Sequence, residues 1–116
     1  MNHPPPQAPP QAPPQAPPPN LRITFAKPGF FLVDVRLVAT IDGHPAHDGS
    51  FKQGLDRAFS VFPGYHQIAI TIDMGGISRN RVYPITIMAN RRYSLILEYS
   101  RWWGNFARTP TIIETP

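Results

Sequence analysis

The sequence predicts an all-β protein, a small antiparallel β-sandwich of about seven strands behind a proline-rich N-terminal tail. Three observations carry this expectation. Apolar and polar residues alternate with period two in successive short runs. Turn residues separate these runs at intervals of roughly ten to fifteen residues. No stretch holds a helical period over three turns.

The first nineteen of the 116 residues contain ten prolines, no charge and no aliphatic side chain larger than Ala beyond Met1. They cannot bury enough surface to offset the entropy of ordering, so residues 1–19 read as a disordered tail and residues 20–116 as one β-sandwich domain. Within the tail Pro-Gln-Ala-Pro recurs every four residues from Pro6 to Pro17. Each proline presets its own φ and pushes the preceding residue out of the helical region, which favours polyproline II and a semi-stiff spacer. Pro-x-x-Pro spacing also suits aromatic grooves, although this tail lacks the basic residue that usually accompanies such ligands.

Leu21, Ile23 and Phe25 alternate with Arg22, Thr24 and Ala26 and form a first strand, stopped by Lys27-Pro28-Gly29. Residues 30–42 follow as the central strand, rich in Val, Leu and Ile and ending at Asp42-Gly43. Residues 44–56 contain Pro45, Gly49 and Gly54 and read as a loop with at most a short strand near residues 50–52. Residues 57–73 hold two alternating runs on either side of Pro63-Gly64 and read as a β-hairpin. Residues 74–80 form a flexible connection to a strand over residues 81–88. Pro84 places that strand at a sheet edge or a bulge, because proline cannot donate to a ladder. Asn90, tolerant of positive φ, then turns the chain into a strand over residues 93–100.

Parity points Val33, Val35, Leu37, Ala39, Ile41, Phe59, Val61, Ile68, Ile70, Ile72, Tyr83, Ile85, Ile87, Tyr93, Leu95, Leu97 and Tyr99 inward. With no cysteine, packing or association must close this core without a disulfide or a thiolate metal site. No export signal and no run of eighteen apolar residues is visible, so a cytoplasmic protein without a membrane span is expected. The net charge of +4 is uneven: residues 74–108 hold six Arg against Glu98 alone. Such asymmetry can steer an acidic partner or a polyanion, though on a small basic protein it also serves simply as a solvated face.

Several turn-and-strand signals resemble those of PEGA-like domains, small bacterial β-sandwiches with Ig-like layering. The strand ending at Asp42-Gly43, the Gly49-Ser50-Phe51 step, the Pro63-Gly64-Tyr65 turn and the segment from Val82 through Asn90 to Leu97 carry the resemblance. It implies a non-catalytic interaction or spacer module with no shared active site.

Tyr99-Ser-Arg-Trp-Trp-Gly-Asn-Phe-Ala-Arg108 is the densest chemical feature. Adjacent Trp102 and Trp103 face opposite ways on an extended backbone, so one can cap the core while the other presents a surface. With Arg101, Phe106 and Arg108, and with Arg91 and Arg92 as further cations, this region is the expected binding surface. The expected occupant is a protein partner or a second copy, with carbohydrate or nucleic acid as the alternative. Arg79 and Arg81 pair with Arg91 and Arg92 as two loops bracketing one strand, which does not make a continuous nucleic-acid track. His44 and His47 lie close to Asp42 and Asp48, but Pro45 forbids the helix that would align them, so a polar loop is favoured over a metal site. No serine sits in a nucleophile turn and His66 suits a hydrogen bond at a strand start. No enzyme activity and no cofactor is therefore expected.

Overall fold

Period-two alternation resolves into ten strands: β1 (Leu21–Phe25), β2 (Arg36–Ile41), β3 (His44–Ser50), β4 (Leu55–Phe59), β5 (Gly64–Asp73), β6 (Ser78–Ile87), β7 (Arg92–Leu97), β8 (Tyr99–Ser100), β9 (Asn105–Phe106) and β10 (Thr111–Thr115). The computed structural model describes residues 18–28, 34–100 and 104–116. The expected tail lies outside the described residues except for Pro18 and Pro19, as does Val33. One sheet has the order β10-β7-β1-β4, the second has β3-β2-β5-β6, and β8 and β9 form a short third ladder. The protein is all-β, with ten strands in place of the seven expected, and no described helix is long and apolar enough to cross a membrane.

The inner faces of the two sheets share one core. Leu21, Ile23, Phe25, Leu55, Tyr93, Leu95 and Leu97 come from one layer; Leu37, Ala39, Ile68, Ile70, Ile72, Tyr83, Ile85 and Ile87 come from the other. All are buried, as parity requires where one face of a strand meets an opposing sheet. Val35, Ile41, Phe59, Val61 and Tyr99 pack partly buried against this cluster. Pro84 sits on β6, an edge strand, the position in a sheet where proline is tolerated. Asn90 takes φ 62° in the turn into β7.

Four local expectations give way. The run on either side of Pro63-Gly64 is not a hairpin: Phe59 pairs with Leu21 in one sheet, whereas Gly64 pairs with Ile87 in the other. Residues 60–63 are thus a crossover between layers, and alternation with a turn dipeptide cannot by itself separate the two cases. Residues 44–50 are not a loop but β3, hydrogen-bonded to β2 through a bulge at Ala39/Thr40 that absorbs Pro45. β1 runs parallel to β7, so one pair departs from the antiparallel scheme. β10 has no expected counterpart, because its five residues are all exposed and only pairing with β7 makes them a strand.

Phe51 and Phe106 leave the strand parity and plug one end of the sandwich. Phe25 stacks on Phe51 at 5.1 Å and meets Phe106 edge-on at 4.9 Å, while Tyr99 meets Phe51 at 5.0 Å. The chain reaches Phe51 and returns to β4 through Gly54, buried at φ 70°, where an added Cβ would lie 2.5 Å from the Phe25 carbonyl oxygen. Gly43, at φ 82° in the β2–β3 turn, has open space instead. Gly43→Ala is expected to cost only its backbone strain, about 1–2 kcal/mol. Gly54→Ala should cost about 3 kcal/mol or more, because the carbonyl must also move. Urea unfolding of the two variants measures the difference, and equal losses would contradict this account of the plug.

Candidate functional site

Strand spacing puts Arg79, Arg81 and Tyr83 on the same face of β6, at the plugged end of the sandwich. Tyr83 is buried, its hydroxyl donates to the Ala107 carbonyl oxygen at 2.6 Å, and burial pushes its pKa up to about 12. Arg81 donates from Nε to the Phe106 carbonyl oxygen at 2.9 Å. Asn105, buried, reaches the Asn80 carbonyl oxygen from Nδ2 at 3.4 Å and accepts the Phe106 N–H on Oδ1 at 2.8 Å. Behind them the Ala107 N–H bonds the Glu98 carbonyl oxygen at 2.7 Å. These bonds lay β9 and the residues after it along β6. Between them opens a hollow of about 780 Å³ lined by Arg79, Arg81, Ser100, Asn105, Phe106, Ala107 and Arg108.

Among the described residues, three guanidinium groups line this hollow and no carboxylate does. All seven Asp and Glu of the chain are among the described residues, and none of them lines the hollow. Asp56 holds Arg22 at 2.6 Å, Asp48 holds Arg36 at 2.5 Å and Glu114 lies 3.6 Å from Arg91. Each of these first two pairs lowers the pKa of its carboxyl and raises that of its arginine through the shared hydrogen bond. Asp34 accepts the Ser50 hydroxyl and the Lys52 N–H, and Asp73 accepts the Gly75 N–H at 3.0 Å. Among the described residues no ion pair neutralises Arg79, Arg81 or Arg108, so the hollow presents hydrogen-bond donors and positive charge.

The expected aromatic and arginine surface is only partly assembled. Arg101, Trp102 and Trp103 lie outside the described residues. Phe106 does not offer its ring to solvent: it is 1% exposed and packed against Phe25, Phe51 and Tyr99, so only its carbonyl serves the site. Arg108 is exposed and lines the hollow. Arg91 and Arg92 follow the far end of β6 and border a different hollow with Asn20, Met88 and Pro116. Arg79 and Arg81, two residues apart on one strand face, complete the cluster that Arg91 and Arg92 do not join. Asn105 carried no sequence signal, since its role depends on where β9 docks.

At the opposite end His66 ties three segments together. Its Nδ1 lies 2.5 Å from Asp42 Oδ2 and its Nε2 lies 2.6 Å from the Phe62 carbonyl oxygen. Both partners are acceptors, so making both bonds at once requires a proton on each ring nitrogen, the imidazolium form. The hydrogen bond to Asp42 raises the His66 pKa, while the Gln67 N–H and His66 lower that of Asp42. His44 and His47 are not in a loop; the β3 bulge sets both opposite inward positions, Ile41 and Ala39. Desolvation lowers the His47 pKa, its Nε2 is buried without a partner, and no three His, Asp or Glu groups converge among the described residues.

A raised histidine pKa gives stability that is complete below pH 6.5, the ordinary value, and is lost as pH climbs through the folded value. The lowered Asp42 pKa gives stability present above pH 3.8 and lost as pH falls through its folded value. The melting temperature of the native chain should therefore fall as pH rises above about 6.5, and His66→Gln should remove that slope. Parallel pH profiles of the two proteins would refute the doubly bonded imidazolium.

Compared with models of known protein families, with curated proteins and with solved structures, the chain matches none.

Proposed function

We propose that this protein is a non-enzymatic β-sandwich interaction module that takes an acidic segment of a protein partner into the Arg79/Arg81/Arg108 hollow. The carrying observation is the convergence of three guanidinium groups on one hollow with no carboxylate among its described lining residues. Arginine forks match carboxylates in paired hydrogen bonds, and Arg81 is held ready by its bond to the Phe106 carbonyl oxygen. Preorganisation of that kind lowers the entropic cost of binding.

Among the described residues the lining supplies guanidinium, amide and hydroxyl groups, with no imidazole or carboxylate to act as a general base. That favours recognition over catalysis. A protein partner is favoured over nucleic acid because Arg91 and Arg92 stand at the other end of β6, which breaks any basic track. Among the described residues no exposed aromatic ring lines the hollow for a base or sugar to stack on. The turn-and-strand resemblance to PEGA-like domains points the same way, towards an interaction or spacer module.

Fluorescence anisotropy with a library of acidic and neutral peptides tests the reading. Acidic peptides should bind with an affinity that falls as salt rises. Arg79→Glu/Arg108→Glu should weaken them at least tenfold, about 1.4 kcal/mol, while Arg91→Glu/Arg92→Glu leaves binding unchanged. Selective retention of oligonucleotides or sulfated glycans in place of peptides would transfer the site to that other ligand class.

A further inference from the structure

A sheet edge is a row of unpaired N–H and C=O groups that can template another strand, and β proteins blunt such edges with proline, bulges, charges or covering segments. Three of the four edges of this sandwich are blunted. β3 carries Pro45 and a bulge, and its Ala46 carbonyl oxygen accepts Arg57 Nη1 at 3.0 Å, which ties it to β4, an edge of the other sheet. β4 carries the neighbouring charges Asp56 and Arg57. β6 is interrupted by Pro84, and Asn105 Nδ2 covers its Asn80 carbonyl oxygen at 3.4 Å. β10 has none of these devices. Its five residues are all exposed, Ile112 at 44% and Ile113 at 47%. Its one charge, Glu114, turns back into its own sheet, accepting the Tyr93 hydroxyl at 3.3 Å and lying 3.6 Å from Arg91.

The ladder fixes which groups of β10 are left over. The Tyr93 N–H bonds the Asn20 carbonyl oxygen at 2.8 Å, so Tyr93 directs its backbone polar groups towards β1. Alternation along β7 directs those of Arg92, Ser94 and Ile96 towards β10, where their register partners are Thr115, Ile113 and Thr111. The N–H and C=O groups of Ile112 and Glu114 therefore point out of the sheet, and among the described residues nothing bonds them. Pro110 and Pro116, at the same parity, have no N–H to add and so bracket this short open edge.

The segment itself says what fits the edge. Pro110-Thr-Ile-Ile-Glu-Thr-Pro116 reads the same from either end except for the exchange of Ile112 and Glu114. We propose that β10 pairs antiparallel with β10 of a second copy of this chain, across a two-fold axis through Ile113. That register sets Pro110 against Pro116, Thr111 against Thr115 and Ile113 against its own counterpart. Ile112 stands opposite Glu114, so the outward groups exchange backbone hydrogen bonds on both sides of the axis. The Thr–Thr and Ile–Ile contacts become the closely spaced pairs of the ladder, with Cα atoms about 4.5 Å apart, where side chains stabilise a sheet most. A two-fold contact closes on itself, joining two four-stranded sheets into one continuous sheet. The arginine hollow takes no part in it, so the pairing is independent of the function proposed for that hollow.

Sedimentation velocity of the full chain at rising concentration tests the pairing. The native chain should pass from monomer to dimer. Ile113→Lys sets two cations face to face at an exposed position and should weaken the dimer at least about tenfold, as should Ile113→Glu. An equimolar mixture of these two variants should recover the dimer, since each Lys then faces a Glu. Ile112→Pro, which removes only an outward N–H, should also prevent association while circular dichroism keeps its native β signal. Arg79→Glu/Arg108→Glu should leave association unchanged. A native chain that stays monomeric at submillimolar concentration, a dimer that Ile113→Lys leaves intact, or Lys and Glu variants whose mixture stays monomeric would each overturn the proposal. A monomer whose Ile112 and Glu114 amides resist hydrogen exchange would give the edge to a segment of the same chain and overturn it equally.

Discussion

Two four-stranded sheets stacked face to face leave their shared core open to water at both ends, and the cluster of Phe25, Phe51, Tyr99 and Phe106 closes one of them. A domain of this size without disulfides has little surplus burial, so an unplugged end would open part of the shared core to water. The plug explains local features that otherwise look arbitrary. Gly54 must be glycine because the return from Phe51 passes against the Phe25 carbonyl. The short β8–β9 ladder exists to turn Phe106 back beneath β6, with the Gly104 N–H bonding the Ser100 carbonyl oxygen at 3.0 Å to tighten the return. Edge-on contacts at 5–6 Å each add about 0.5–1.5 kcal/mol beyond buried area, which makes four rings an effective lid.

The arginine hollow is a consequence of that closure. Turning Phe106 inward brings its carbonyl oxygen, and that of Ala107, out to face β6, where Arg81 and Tyr83 bind them. The same step aligns Arg79 and Arg108 along the rim. Fold and hollow therefore share hydrogen bonds, and Arg81 belongs to both: its Nε supports the plug, and its side chain lines the hollow. The far end is closed differently. There a polar clasp of His66, Asp42 and Gln67 joins the β2–β3 turn to the crossover, and Tyr93 accepts the Met88 N–H at 2.9 Å. One end is thus dry and aromatic beneath a cationic rim, whereas the other depends on a protonated imidazole and carries the exposed Phe62.

Legibility in the sequence followed the range of the interactions. Period two is a local property of the backbone, so Ile68, Ile70 and Ile72, or Tyr83, Ile85 and Ile87, announced their burial before any partner strand was known. Turn chemistry was equally local at Asp42-Gly43, whose φ values of 52° and 82° suit a two-residue hairpin loop. Pro63-Gly64 showed the limit of such signals, because the same dipeptide that closes a hairpin can also launch a crossover. Arg79 and Arg81 were visible as a pair, yet their meeting with Arg108 required the docking of β9.

The chain by itself determined that this is an all-β protein with a proline-rich extension, and it determined which residue on each main strand turns inward. Those properties arise from alternation, steric limits on φ and the absence of cysteine, none of which needs a distant neighbour. Tertiary structure alone decided the assignment of β4 and β5 to opposite layers, the parallel pairing of β1 with β7, the existence of β10 and the gathering of three arginines around one hollow. Each of these depends on contacts between residues far apart in the chain, and strand pairing is chosen by the fit of whole faces rather than by any short run of residues.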